Sequence, residues 1–392
     1  MYNILTLNNI SAEGLKRLPA DSYNVGDSVE SPDGILVRSF KMHEMDFGAN
    51  LEAVARAGAG VNNIPTDKLA QRGVVVFNAP GANANAVKEL VIGGMLMAAR
   101  NLAAAWDYTQ KLEEEGDALA KKVEAGKKQF VGYELPGRTL GVVGLGAIGV
   151  QVANVAQSLG MKVIGYDAMV SVERAWELHS EVEQARSLED LLSRSDMISL
   201  HVPLLDATHG LISKEGIARL PKDAVILNFA RDLIVDEEAV LESLDAGRLG
   251  AYVTDFPTRD VIGHSKVITL PHLGASTHEA EINCAIMVAE NMRDFLENGN
   301  IMHSVNYPSV IMPRTQGSYR LTIANRNEPN MVGQISTFLA DAGLNIEDLL
   351  NKSRGDYAYT IVDVNGEVPD VVVKQIAGIE GVIKVRNLGA TA

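Results

Sequence analysis

The sequence has a single cysteine and no long hydrophobic run, and each scarcity excludes a class of protein. Cys284 stands alone among 392 residues, so no internal disulfide can form, which favours a reducing compartment. The N-terminus lacks the basic-then-apolar pattern of a signal peptide. The most lipid-like run, Val91–Ala99, is far shorter than the roughly 20 residues that a spanning helix needs. We therefore expect a soluble cytoplasmic protein without a membrane partner.

Positive charge is also in short supply. The 35 Lys and Arg residues against 50 Asp and Glu residues give a net charge of −15, which repels nucleic acid and anionic lipid. A local basic pocket can still bind a small anion. The 46% hydrophobic fraction is typical of a folded chain, and the length predicts two or three domains.

Short apolar runs alternate with helical patterns over most of the chain, which predicts an α/β fold of two doubly wound parallel sheets. The first lobe has predicted strands at Asn3–Leu7, Ile35–Arg38, Ala53–Ala57 and Val74–Phe77. The second has six, at Thr139–Val143, Lys162–Tyr166, Met197–Leu200, Ala224–Asn228, Ala251–Asp255 and Lys266–Leu270.

The end of the chain has a different pattern. Prolines and polar residues predict a linker over residues 306–318. Residues 319–392 then predict the order strand–helix–strand–strand–helix–strand, which is a ferredoxin-like unit.

A glycine-rich loop follows the first strand of the second lobe. Gly144, Gly146 and Gly149 fit the spacing of a dinucleotide-binding loop, in which the first glycine permits a tight turn, the second admits a pyrophosphate and the third packs helix on strand. Asp167 ends the next strand, where a carboxylate binds ribose hydroxyls and repels a 2′-phosphate. The loop therefore predicts NAD rather than NADP.

Three polar groups follow later strands of the same sheet, at the edge where such sheets bind ligands. Arg231 can hold a carboxylate with its planar guanidinium. Asp255 and Asp260 follow the next strand, and His272 lies after the last one. A histidine beside a carboxylate carries protons well near neutral pH, and the oxidation of a carbinol needs such a partner.

Motifs along nearly the whole chain resemble the D-isomer-specific 2-hydroxyacid dehydrogenases. They are Val37-Arg38-Ser39, residues 58–64, residues 78–83, Glu89-Leu90, the glycine loop, Ala230-Arg231 and Pro271–Thr277. The resemblance implies that Arg231 binds the substrate carboxylate and keto oxygen, that His272 is the acid–base group, and that no metal is needed. Cofactor contacts are then expected from Gly144, Gly146, Ala147, Ile148, Gly149, Asp167, His201, Val202, Pro203, Phe229, Ala230, Arg231, Asp255, His272, Gly274 and Ala275.

One segment departs from the family pattern Asp-Val-Phe-x-x-Glu-Pro. Residues 255–260 read Asp-Phe-Pro-Thr-Arg-Asp. If the aspartates are aligned, Asp260 takes the place of the glutamate that partners the histidine. If the phenylalanines are aligned, Arg259 takes that place. We prefer Asp260, because a carboxylate beside His272 preserves the proton chemistry.

The resemblance is strongest to members that oxidise 3-phosphoglycerate, which begins the phosphorylated route to serine. It implies a discontinuous substrate domain (1–88 and 273–305), an NAD domain (89–272), and long hinge helices between them. The expected substrate contacts are Arg38, which matches a phosphate-contacting arginine, and Ser39, Lys41, Gly60, Val61, Asn62, Arg231 and His272. The alternatives are another D-2-hydroxyacid, such as one related to hydroxypyruvate or 2-oxoglutarate, and a non-catalytic NAD sensor.

The last 74 residues resemble an ACT domain, a module that often binds amino acids between paired copies. This resemblance implies an amino-acid effector near Asn325, Asn327 and Asn345, and a homodimer or homotetramer. A purely structural role in dimerisation is the alternative.

Overall fold

The structure, a computed structural model, describes residues 1–390 and divides into two compact units. Unit 1 comprises Met1–Asn83 and His278–Ala392, and unit 2 comprises Ala84–Thr277. The C-terminal residues 319–390 belong to the same unit as the first segment of the chain, and the domain boundaries that the sequence suggests stay a prediction. Within residues 1–390, no helix has both the length and the apolar character to cross a membrane.

Unit 1 begins with a five-stranded parallel sheet in the order β2-β1-β3-β4-β5. The four predicted strands are present, and β3 is buried at every position, which explains its unbroken apolar sequence. The edge strand β2 was not predicted, because only its first residue is buried and no alternation marks it. The elements are β1 (Tyr2–Leu7), α1 (Ala12–Leu15), β2 (Tyr23–Gly26), β3 (Gly34–Val37), β4 (Ala53–Arg56), α2 (Thr66–Ala70) and β5 (Val75–Phe77).

Unit 2 is a seven-stranded parallel sheet in the order β12-β11-β10-β9-β6-β7-β8. All six predicted strands are present, and the sheet also contains a two-residue strand, β8, that was not predicted. Its elements are α3 (Ala84–Arg100), α4 (Leu102–Gln110), α5 (Gly116–Gly126), β6 (Thr139–Val143), α6 (Ala147–Ser158), β7 (Lys162–Tyr166), α7 (Val172–Glu177), β8 (Glu183–Gln184), α8 (Leu188–Arg194), β9 (Met197–Leu200), α9 (Lys214–Arg219), β10 (Ala224–Asn228), α10 (Glu237–Asp245), β11 (Leu249–Thr254) and β12 (Val267–Thr269).

Helices cover both faces of this second sheet. Along β6, Val142 joins a core with Met95 of α3 and Val152 of α6. The next residue, Val143, joins the core on the opposite face with Leu191 of α8, because successive side chains of a strand point to opposite faces. The strand order reverses at β6, between β7 and β9, and that reversal is where doubly wound sheets bind ligands.

The C-terminal part of unit 1 has the predicted strand–helix–strand–strand–helix–strand order. Its antiparallel sheet is ordered β14-β15-β13-β16. The elements, which follow the long helix α11, are α11 (His278–Asn298), β13 (Tyr319–Arg326), α12 (Met331–Asp341), β14 (Ile346–Arg354), β15 (Tyr357–Val364), α13 (Asp370–Ala377) and β16 (Val382–Ala390).

The segment predicted as a linker is packed rather than solvated. Tyr307, Val310 and Met312 are buried in the same core as Tyr359 of β15. The Tyr307 hydroxyl also donates to the carbonyl of Ala70, at 2.8 Å. The prolines of the segment indicated a spacer, but its spaced apolar side chains instead attach the C-terminal sheet to the rest of unit 1.

Candidate active site

The glycine loop of unit 2 leaves an open space at the start of α6. Gly144 has a φ of +93°, and a Cβ there would lie 2.7 Å from the carbonyl oxygen of His201. A Cβ on Gly149 would lie 1.9 Å from the carbonyl oxygen of Gly144. A Cβ on Gly146, which precedes Ala147 and Ile148 of α6, would meet nothing within 4 Å. Two glycines are thus required by the fold, while the middle one opens room for a ligand.

Asp167, which follows β7, is tied to this loop. Its Oδ2 accepts a hydrogen bond of 2.7 Å from the backbone N–H of Leu145, and its Oδ1 accepts one of 2.8 Å from Met169. Each carboxylate oxygen keeps a second lone pair. The geometry therefore holds the carboxylate beside the loop with acceptor capacity left for ribose hydroxyls.

His201, at the end of β9, forms one wall of the loop and stays neutral. Burial lowers the pKa of its imidazole to about 3. Its Nε2 lies 2.8 Å from Ser199 Oγ, and its buried Nδ1 has no partner within residues 1–390. Val202 follows, partly buried, and Pro203 is exposed. A histidine neutral over the physiological range is no acid–base group, so His201 contributes shape and hydrogen bonding.

Arg231 lies on the turn after β10, and the residues that precede it are buried. Phe229 and Ala230 are buried, whereas Arg231 is exposed and its Nη1 donates to the Ala230 carbonyl at 2.6 Å. The fully buried Asn228 braces the turn: its Nδ2 donates to the Arg231 carbonyl at 2.8 Å, and its Oδ1 accepts from the Ala230 N–H at 3.2 Å. The sequence analysis did not select Asn228 as a site residue, although a polar residue at the end of a buried strand indicates a functional position.

His272 lies on an exposed turn and contacts Phe256. Its backbone is left-handed, with a φ of +54°, and its ring centroid is 4.5 Å from that of Phe256. The same phenylalanine lies 5.6 Å from the guanidinium carbon of Arg231. Gly274 is buried and Ala275 exposed. One aromatic ring thus contacts both predicted catalytic side chains.

The predicted carboxylate partner is not hydrogen-bonded to His272. Asp260 and Arg259 are both exposed, and neither makes a hydrogen bond or ion pair with the imidazole among the described residues. Asp255, by contrast, is 1% exposed, and its carboxylate accepts hydrogen bonds from the N–H groups of Leu273 and Gly274. The pairing of Asp260 with His272 stays a prediction.

Unit 1 contains a cationic cavity of 450 Å³. Its lining includes two cations, a histidine and no carboxylate: Ser39, Lys41, His43, Arg56, Asn62 and Asn63. The side-chain oxygen of Asn63 is buried there without a hydrogen-bond partner. The two cations, with no carboxylate to neutralise them, suit a small anion.

Of the six substrate contacts predicted in unit 1, three line the cavity and three do not. Ser39, Lys41 and Asn62 line it, whereas Gly60 and Val61 do not. Arg38 also lies outside, with its guanidinium 2.5 Å from the carboxylate of Glu281. Sequence reasoning missed His43 and Arg56, although Arg56 ends a buried strand and so had the signal that singled out Arg231.

A model of the D-isomer specific 2-hydroxyacid dehydrogenase NAD binding domain matches residues 92–280. D-3-phosphoglycerate dehydrogenase of Haemophilus influenzae is 32% identical over 367 residues, covering 91% of this chain and 86% of that protein. The chain belongs to the D-isomer-specific 2-hydroxyacid dehydrogenase family. The family member D-3-phosphoglycerate dehydrogenase of Methanocaldococcus jannaschii is 37% identical over 293 residues, or 72% of this chain, and the chain spans 53% of its length.

A solved structure of the family shares the fold. The NAD⁺-bound 3-phosphoglycerate dehydrogenase of Entamoeba histolytica aligns with a TM-score of 0.61 at 28% identity, covering 78% of this chain and 98% of that one. The cofactor of this dehydrogenase is NAD. The open space at Gly146, the uncapped start of α6 and the carboxylate of Asp167 fit a dinucleotide.

The C-terminal sheet has a cavity of its own, of 160 Å³. Asn325 and Asn327 line it, as do Glu328 and Asn351. Asn325 is 1% exposed, and its side-chain oxygen is buried without a partner. The third predicted effector residue, Asn345, lies outside this cavity and pairs through its backbone N–H with the side chain of Asn365, at 3.0 Å.

Proposed function

We propose that this dehydrogenase oxidises 3-phosphoglycerate to 3-phosphohydroxypyruvate with NAD, the first step of phosphorylated serine biosynthesis. The observation that carries the proposal is the cationic cavity of unit 1, in a chain whose relatives of 32–37% identity are D-3-phosphoglycerate dehydrogenases. An unphosphorylated monocarboxylate such as D-glycerate has no second anion for Lys41 and Arg56 to bind.

The side chains of unit 2 supply the groups that the reaction needs. The glycine loop and Asp167 would hold NAD, which would supply the hydride acceptor for C2 of the hydroxyacid. Arg231 holds the substrate carboxylate, because its guanidinium fork matches a carboxylate in two hydrogen bonds. His272 accepts the hydroxyl proton during oxidation and returns it during reduction, a role within the usual range of a histidine. His201 takes no part in proton transfer because it stays neutral.

In unit 1, we assign Lys41 and Arg56 to the substrate phosphate. Arg56 is held in place by hydrogen bonds from its Nε to the Arg38 carbonyl (3.0 Å) and from its Nη1 to the Gly60 carbonyl (2.6 Å). A guanidinium fixed in this way loses little entropy when it binds an anion. The ion pair between Arg38 and Glu281 leaves Arg38 a lesser role.

An amino acid is the effector that the C-terminal cavity fits. Asn325 offers a buried, unpartnered carbonyl oxygen, which suits an ammonium group, and Asn327 lies beside it. Isothermal titration with L-serine, glycine and L-alanine tests the site. Binding that Asn325→Ala abolishes supports it, and the absence of binding by all three amino acids favours a structural role for the module.

The protein is also proposed to be a homo-oligomer that works in the cytoplasm. The helix α4 has no buried residue, yet it carries the apolar residues Leu102 and Trp106, which are 47% and 66% exposed. A second copy of the chain would cover this surface. Light scattering should show a dimer or tetramer, and Trp106→Glu should shift it to a smaller species.

The activity is tested by NADH formation from 3-phosphoglycerate and NAD, with a hydrazine to trap the keto product. NADH release that requires 3-phosphoglycerate is the expected result. NAD binding without turnover on any D-2-hydroxyacid would instead favour the non-catalytic sensor.

A further inference from the structure

Asp255 stands out among the acidic residues of unit 2 because it is almost fully buried and makes no ion pair among the described residues. Asp255 follows β11 directly and is 1% exposed. A buried carboxylate is costly unless hydrogen bonds satisfy it, so its partners indicate what it is there for.

Those partners are the turn that carries His272. The Asp255 Oδ1 accepts from the Leu273 N–H at 2.7 Å, and the Oδ2 accepts from the Gly274 N–H at 2.9 Å. The backbone carbonyl of Asp255 accepts from the His272 N–H at 3.1 Å. Asp255 therefore accepts hydrogen bonds from three consecutive backbone N–H groups, and these bonds fix the direction in which the turn leaves the sheet.

The turn needs this support because His272 has an uncommon backbone conformation. Its φ of +54° is left-handed, a region that residues other than glycine seldom occupy unless the surroundings impose it. The neighbouring Phe256 contacts the imidazole and lies close to the guanidinium of Arg231. Asp255 thus fixes the backbone of His272, while the next residue along the chain packs against its ring.

We propose that Asp255 is a positioning residue that holds the imidazole of His272 in its working orientation through the backbone. The inference rests on the proposed acid–base role of His272. The role is compatible with the cofactor contact that the sequence predicts, because each carboxylate oxygen accepts one N–H of the turn and keeps a second lone pair. It also explains how the histidine can be oriented when no carboxylate is hydrogen-bonded to its ring.

Asp255→Asn tests this role, since the amide has the same shape but only one accepting oxygen. Its NH₂ group would face one of the two N–H donors, so the turn should loosen. Displacing a catalytic group by about 1 Å can cost on the order of 100-fold in rate, and we expect kcat, measured at saturating NAD, to fall about 10- to 100-fold. Asp255→Ser, which is smaller and can accept one N–H, serves if the asparagine variant folds poorly.

Two further variants separate positioning from general damage. His272→Asn removes the acid–base group and suits the turn, because asparagine also occupies left-handed conformations. In this background Asp255→Asn should cause no further loss of kcat. Asp196→Asn is the matched control, because the Asp196 carboxylate also accepts a backbone N–H in unit 2, from Thr139 at 2.8 Å, at the amino-terminal edge of the sheet.

Hydrogen exchange gives a readout independent of turnover. The amides of Leu273 and Gly274 should exchange faster in Asp255→Asn and not in Asp196→Asn. Unchanged amide exchange, or an equal loss of kcat in the His272→Asn background, would each overturn the positioning role alone. If His272→Asn itself keeps full turnover, the acid–base assignment fails and the positioning role fails with it.

Discussion

Replacing the second and third glycines of the cofactor loop should separate ligand binding from folding. Gly146 has a φ of −75° and a ψ of −164°, which alanine adopts readily, and a new Cβ there has no neighbour within 4 Å. Alanine caps a helix less well than glycine, but it also restricts the unfolded chain by about 0.4–1 kcal/mol. We therefore expect Gly146→Ala to change the free energy of unfolding by less than about 1 kcal/mol.

Its effect on NAD binding should be large. The added methyl group would occupy the space through which a pyrophosphate reaches the first N–H groups of α6. Losing one charge-assisted hydrogen bond costs about 1.5–3 kcal/mol, so the Kd for NAD should rise at least roughly 10-fold.

Gly149→Ala should behave in the opposite way. Its Cβ would lie 1.9 Å from the carbonyl oxygen of Gly144, so the loop or α6 must shift, and such overpacking typically costs 1–3 kcal/mol. Urea denaturation of the apo proteins and calorimetric titration with NAD measure both quantities. Normal NAD affinity in Gly146→Ala, or normal stability in Gly149→Ala, would refute this account of the loop.

Four other predictions concern substitutions of single side chains in the two units. Asp167→Ala should weaken NAD binding and reduce the preference for NAD over NADP in kcat/KM, because a 2′-phosphate would no longer face a carboxylate. If Asp260 assists the acid–base histidine, Asp260→Asn should shift the pH profile of keto-acid reduction downward; if Arg259 occupies the partner position instead, Asp260→Asn should leave the profile unmoved and Arg259→Ala should change it. Arg38→Ala should raise the KM for 3-phosphoglycerate by about 5-fold or less, since its guanidinium is half exposed and already paired with a carboxylate of α11. The pKa of His201 falls from 6.5 to about 3 on folding, so between these pH values the unfolded chain binds more protons than the folded one. The free energy of unfolding should therefore decline as the pH falls below 6.5, and His201→Gln should reduce this dependence on pH.

The sequence predicted the two parallel sheets because their strands are buried on both faces. The strand β6 is apolar apart from Thr139 and is followed by Gly144, and β10 is apolar up to Asn228, so that both the strands and the groups after them could be located. The edge strands β2 and β8 were missed, because exposed residues leave no apolar run to detect.

The parts that escaped prediction depend on contacts between distant residues. Asp255 stands 18 residues before Leu273, and no local pattern indicates that its carboxylate turns towards that backbone. Lys41 and Arg56 meet in one cavity only because β3 and β4 are neighbours in the sheet. The packing of Tyr307 likewise depends on its partner Ala70, far away in the chain.

We propose above all that the cavity of unit 1 recognises the substrate phosphate. D-glycerate differs from 3-phosphoglycerate only by that group, so the ratio of the two kcat/KM values measures phosphate recognition. One charge-assisted contact worth about 1.5–3 kcal/mol corresponds to roughly 10- to 150-fold. We expect a ratio in this range or above for the unaltered protein.

The decisive measurement is this ratio in Lys41→Met, compared with Lys68→Met as a control. Lys41 lines the cavity, whereas Lys68, on α2 of the same unit, does not. We expect Lys41→Met to lower the ratio at least about 10-fold, by reducing kcat/KM for 3-phosphoglycerate and not for D-glycerate, while Lys68→Met leaves it unchanged. An equal kcat/KM for the two substrates in the unaltered protein, or a ratio that Lys41→Met does not change, would contradict it.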